Sequence, residues 1–122
     1  MKAGIRSNVL GALCLAVLIG AGAPDAPVAD AAMRGDVDAV RQLLREGADV
    51  NAAQGDGMSA LHWAAEHGDP ELTEMLLYAG ATIDVVTRIG EYTPLHIASR
   101  NGVSEVVSVL LAAGADVGAT TV

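Results

Sequence analysis

The chain has 122 residues, fifteen acids against seven lysines and arginines, and a 52% hydrophobic content with no Phe, one Trp and two Tyr. That length holds one modest domain whose apolar volume comes from Ala, Leu and Val, and its acidity repels phosphate backbones, arguing against nucleic acid as a partner. A lone cysteine, Cys14, can form neither an internal disulfide nor a multi-thiolate zinc site, which excludes redox chemistry and Cys-ligated metal.

Residues 1–23 begin with Lys2 and Arg6, continue as an apolar run from Val9 to Ala23, and give way to Pro24 and Asp25. A basic start, an apolar middle and small residues at the end (Ala21-Gly22-Ala23) form the layout of a secretory signal peptide of bacterial style. The run of 15 residues is shorter than the roughly 20 a helix needs to cross a bilayer. Leu13 before Cys14 is too large for a lipoprotein site. The expectation is export to the periplasm or the outside after cleavage at Ala23 or Ala26, leaving residues 24–122 with no membrane contact. An uncleaved N-terminal anchor is the alternative.

From there the chain repeats itself. Ala31-Ala32 with Gly35 returns as Ala64-Ala65 with Gly68, then as Ala98-Ser99 with Gly102, at spacings of 33 and 34 residues. The pairs Leu43-Leu44, Leu76-Leu77 and Leu110-Leu111 keep the same spacings, and so do Gly47-Ala48, Gly80-Ala81 and Gly114-Ala115. Three features in one register define units of about 27–58, 59–92 and 93–122. Each unit reads as two short helices. In the second, Ser59 caps a helix that stops at Gly68, and Asp69-Pro70 starts another that carries Leu72, Met75 and Leu76 and ends at Gly80. In the third, Thr93 caps and Pro94 opens a helix that stops at Gly102; its partner runs from about Ser104 to Ala113, with Val106, Val107, Leu110 and Leu111 on one face. No such pair buries both faces alone, so neighbouring units must stack.

Thr93-Pro94-Leu95-His96-Ile97-Ala98, its variant Ser59-Ala60-Leu61-His62-Trp63-Ala64-Ala65, and Gly47-Ala48-Asp49-Val50-Asn51 resemble the signatures of the ankyrin-repeat family over about residues 27–118. Two departures stand out. Ala26-Pro27-Val28-Ala29 fills the signature slot of the first unit without Thr or His. The loop before Thr93 carries one extra residue relative to the loop before Ser59. The resemblance implies an all-α repeat solenoid of helix-turn-helix units with short β-hairpin fingers, and protein binding through the fingers and inner helices without catalysis.

His62 and His96, in the signature slot, are expected to tie helix starts to the preceding Ser59 and Thr93. His67 lies five residues from His62, off the same helical face, so no zinc pair forms. No nucleophile motif, phosphate loop or calcium loop is present, and the carboxylates Asp36, Asp38, Asp49, Asp69, Asp84 and Asp116 read as capping or solvated groups. The expectation is therefore no catalytic residue, no metal and no cofactor. Trp63 either packs between helices, as its aliphatic equivalent Ile97 suggests, or anchors a partner.

The residues that stacking leaves exposed are the candidates for partner contact. They are Asp56 and Met58, together with Gln54, on the first finger; Arg88, Ile89, Glu91 and Tyr92 on the second; and Glu66, His67, Arg100 and Asn101 at the ends of the first helices. Met58, Ile89 and Tyr92 are apolar where a solvated finger prefers polar residues, so they either meet a partner or pack on the next finger.

Residues 114–122 begin another finger, and no polar capping unit follows. The outer face of the last pair is expected to expose Val107, Val109 or Leu110, as in an array truncated at its C-terminus or covered by a partner. The leading expectation is an exported, non-enzymatic scaffold for a protein partner. A docking module of a larger enzyme and a membrane-tethered adaptor are the alternatives.

Overall fold

A computed structural model of the chain describes residues 26–118. The expected export segment 1–23, Cys14 included, lies outside the described residues. Six helices follow one another: α1 (Pro27–Met33), α2 (Val37–Arg45), α3 (Ala60–His67), α4 (Pro70–Tyr78), α5 (Pro94–Arg100) and α6 (Ser104–Ala112). They pair as α1–α2, α3–α4 and α5–α6, with α1, α3 and α5 stacked in an inner row and α4 packed on α6 in the outer one. Among the described residues no helix is long and apolar enough to cross a membrane.

Local chemistry sets the helix starts. Asp36 and Asp69 cap α2 and α4 by accepting the Ala39 and Leu72 amides at 3.0 Å. Pro70 and Pro94 occupy first-turn positions that lack an amide partner anyway. At α6 the equivalent residue is Val103, which gives no side-chain cap. Instead its methyls lie against Gly68, where an added Cβ would come within 3.0 Å of them. The third unit thus exchanges a capping bond for apolar contact with the second.

The inner row packs closely because it presents alanines. Ala31, Ala32, Ala64, Ala65 and Ala98 are fully buried where α1, α3 and α5 meet, and larger side chains there would overpack at about 1–3 kcal/mol each. Leu61, Leu72, Leu76, Val40 and Val106 fill the space between inner and outer helices, each contributing about 1.5–3 kcal/mol. Leu110 belongs with them at 0% exposure, against the expectation that it faces water. Val107 and Val109 are half-buried, and Leu111 is the exposed member of that run. Several consecutive valines and leucines allow more than one buried face, and the contact with α4 selects the one through Val106 and Leu110.

No β-strand forms among the described residues, so the expected β-hairpins are replaced by hydrogen-bonded turns. The fingers close with backbone bonds from Gln54 N–H to Met58 O and from Thr87 N–H to Tyr92 O, both 3.0 Å, and the first adds Gly57 N–H to Gln54 O at 2.8 Å. The amides that would extend a ladder go to side chains: Met58 N–H to Asp56 Oδ1 and Tyr92 N–H to Thr87 Oγ1, again at 3.0 Å. Successive loops are tied by side chains as well. Asn51 Oδ1 accepts from Thr82 N–H at 2.7 Å, and Asp84 Oδ1 accepts from Asp116 N–H at 3.1 Å.

Candidate functional site

The two signature histidines hold the frame on which the fingers sit. His62 Nδ1 accepts the Ser59 amide at 3.0 Å while Ser59 Oγ accepts the His62 amide, a reciprocal box. With Nδ1 accepting, Nε2 carries the proton and donates to Tyr92 O at 2.9 Å, which fixes the base of the second finger to the second unit. His62 is fully buried, and that burial lowers its pKa from 6.5. The carbonyls of Tyr92 and Val85 and the Asp56 charge pull the other way without overcoming it. His96 repeats the box with Thr93, its Nδ1 accepting the Thr93 amide at 3.0 Å.

The first finger is drawn inward. Gln54 Nε2 donates to Asp30 Oδ1 at 2.7 Å, and Gln54 Oε1 accepts from Trp63 Nε1–H at 2.9 Å, so one amide joins α1, the finger and α3. Gln54, expected at a contact surface, is therefore committed to the framework. Trp63 is half-buried against the core, as its packing reading expected.

The second finger lies beside the first and reaches further out. Arg88 N–H donates to Asp56 O at 3.0 Å, and the Arg88 guanidinium caps Gly55 O at 2.9 Å. This approach requires Gly57, whose φ is +86° and where a Cβ would meet Arg88 N at 2.8 Å. The extra residue falls between Thr87 and Tyr92, and the chain absorbs it with Gly90 at φ +84° and Glu91 at φ +52°. Ile89, at the tip, is 84% exposed.

Between the fingers and the inner helices lies an open pocket of about 290 Å³, lined by Asp56, Met58, Glu66, Thr87, Ile89, Tyr92, Ile97 and Arg100. Six of the eleven residues expected at a partner surface meet there: Asp56, Met58, Glu66, Ile89, Tyr92 and Arg100. Arg100 Nη2 pairs with Glu66 Oε1 at 3.1 Å, and its guanidinium carbon sits 5.7 Å from the Tyr92 ring centroid. Asn101 Nδ2 buttresses the pair by donating to Glu66 at 3.3 Å. Besides Gln54, the other four stand outside the lining. Arg88 holds Gly55, Asn101 holds Glu66, Glu91 is exposed in the turn, and His67 faces the first unit with Nε2 2.9 Å from Met33 O.

Thr87 and Ile97 line the pocket without having been singled out from the sequence. Ile97 is only 3% exposed, as an aliphatic residue packed between helices is expected to be, yet its edge forms part of the wall. Thr87 carries no distinguishing pattern. The lining offers apolar contact, one internal ion pair and carboxylates. Among the described residues no cluster of three or more His, Cys, Asp or Glu side chains is placed to hold a metal ion.

Comparison with known proteins adds relatives to this geometry. A family model for ankyrin repeats in three copies matches residues 27–121. The chain is 40% identical over 57 residues to ankyrin repeat domain-containing protein SAT10 of Stachybotrys chartarum, covering 47% of this chain and 3% of that protein. It is 41% identical over 70 residues to human ankyrin repeat and SOCS box protein 16, covering 57% of this chain and 15% of the relative. Palmitoyltransferase Hip14 of Drosophila melanogaster is 36% identical over 68 residues, or 56% and 11% of the two lengths. The matched segment is thus a small part of each relative's own length.

Proposed function

This chain belongs to the ankyrin-repeat family, whose repeats are generally non-catalytic modules for protein–protein interaction, and from that premise we propose that it is an exported scaffold binding a protein partner between its fingers and inner helices. The observation that carries the reading is the pocket beneath Ile89, where an apolar side chain 84% open to water stands over a floor shared by two repeats. Leaving a large aliphatic residue so exposed at the tip of a hydrogen-bonded turn has no benefit for folding, and a partner that covers it supplies one. The N-terminal pattern of Lys2, Arg6 and the run from Val9 to Ala23 supports export to the periplasm or the outside.

The test is affinity capture from the exported fraction by the wild-type protein and by Ile89→Ser, with quantitative mass spectrometry of what each retains. A protein held by the first and depleted at least tenfold from the second is the expected outcome; equal retention by both would falsify the groove reading. N-terminal sequencing of the mature protein checks export separately, with Pro24 or Pro27 expected as the first residue.

A second reading, that these repeats dock a catalytic domain in a longer protein, draws on relatives such as the palmitoyltransferase Hip14, of which the matched segment is only 11%. It places the partner in the same polypeptide and leaves the groove with the same task.

A further inference from the structure

The charges around the pocket are not equally engaged, and their imbalance bears on what the partner carries. Both cations near the pocket already have partners in the chain: Arg88 is held by Gly55 O, and Arg100 by Glu66 and the Tyr92 ring. Two carboxylates take part in no ion pair. Asp56 and Glu91 take part in neither of the ion pairs found among the described residues, which are Arg41–Asp38 and Arg100–Glu66. Asp56 uses Oδ1 to accept the Met58 amide and lines the pocket from the first finger, while Glu91 is exposed beside Tyr92 on the second. An acidic ligand would have to draw Arg100 away from Glu66 or Arg88 away from Gly55 O, whereas a basic one meets two carboxylates with no cation to give up. The wider field has the same sign, because residues 26–118 contain fourteen acids and five arginines, with no lysine.

The apolar part is equally directional. Ile89 and Tyr92 form an exposed lip, and Met58 and the edge of Ile97 form the floor, leaving room for one large aliphatic or aromatic side chain between two acidic fingers. We propose that this pocket takes a basic peptide segment of the partner, with a single apolar side chain seated against Ile89, Tyr92 and Met58 and flanking arginines or lysines paired with Asp56 and Glu91. The proposal rests on the groove reading above and specifies the chemistry of its ligand.

Selection of a random peptide library on the purified protein tests it, followed by affinity measurements on the selected peptides. The expected consensus is one Leu, Met, Phe or Trp with Arg or Lys on either side. Ile89→Ser is expected to weaken those peptides about tenfold. The pair Asp56→Asn and Glu91→Gln removes charge while keeping an oxygen to accept the Met58 amide; it is expected to weaken them about threefold per charge, and salt near 1 M to abolish that difference. An acidic or charge-neutral consensus, or no enriched sequence, overturns the proposal. So do basic peptides that ignore the Asp56→Asn and Glu91→Gln variant. Selected peptides of any charge that are lost in Ile89→Ser leave the groove reading standing, and peptides indifferent to Ile89→Ser remove both.

Discussion

The first finger closes in four steps of chain, from Gln54 to Met58, and the second takes five, from Thr87 to Tyr92. In the shorter turn the leading side chain, Gln54, points back into the stack and joins Asp30 to Trp63. In the longer one the leading side chain, Thr87, is occupied with its own turn, donating to Ile89 O and accepting from Tyr92 N–H, and the added residue carries Ile89 out to 84% exposure. The same repeat position thus serves cohesion in one finger and presentation in the other. A single inserted residue is enough to separate the two, because it changes which side chain the turn can satisfy locally and which it leaves outside.

Each end of this comparison can be perturbed. The largest effect is expected from His62→Ala, which removes the donor to the part-buried Tyr92 O beneath the second finger and the acceptor of the buried Ser59 amide. Chemical denaturation should show about 2–3 kcal/mol lost, the cost of two unsatisfied groups and a cavity. The same histidine gives the fold a pH dependence whose sign follows from its lowered pKa. The unfolded chain binds a proton at this site near pH 6.5, while the folded one, with a buried and accepting imidazole, binds it only at lower pH. Stability from this group is complete above about pH 6.5, declines as pH falls below it, and levels off beneath the folded pKa. Denaturation curves between neutral and mildly acidic pH should show that decline in the wild type and lack this component in His62→Ala.

Gln54→Ala cuts the link between α1 and α3 through the first finger, and a loss of about 1–2 kcal/mol is expected from two severed bonds that leave Asp30 and the Trp63 indole without this partner. A change in Trp63 fluorescence should accompany it, since Trp63 is the sole tryptophan. Glu91→Gly addresses the longer turn, where a side chain sits at φ +52°. Relief of that strain, less the extra entropy of glycine in the unfolded chain, should raise stability by about 0.5–1 kcal/mol. Ile89→Ser should move stability by less than about 0.5 kcal/mol, as an exposed position does, and a larger loss would mean that the tip packs on the framework.

The sequence makes the framework legible and leaves the division of labour between the fingers hidden. Helix starts at Ser59, Asp69 and Thr93 are local affairs of a hydroxyl or carboxylate and an amide three residues on, so they can be read from spacing alone. The extra residue before Thr93 is visible in the same way. Its consequence is not, because Gln54 finds its partners 24 residues before it and nine after it, a geometry set by the stack as a whole. Leu110 illustrates the same limit: an almost unbroken apolar run gives no periodicity strong enough to choose the buried face before α4 is in place. The candidate surface lies between these cases. Variation between units points to eleven residues, six of which meet in one pocket, whereas Ile97, aliphatic at a position expected to pack between helices, gives no sign that its edge forms part of the wall.

Ile89→Ser and Gln54→Ala, compared side by side for melting and for capture of the same partner at a temperature where both are folded, test the account most directly. The prediction is a wild-type melting curve with at least tenfold weaker capture for Ile89→Ser, and a lowered melting curve with undiminished capture for Gln54→Ala. Full capture by Ile89→Ser together with its loss in Gln54→Ala would contradict the account, because it would make the first finger the binding element and the second a part of the frame.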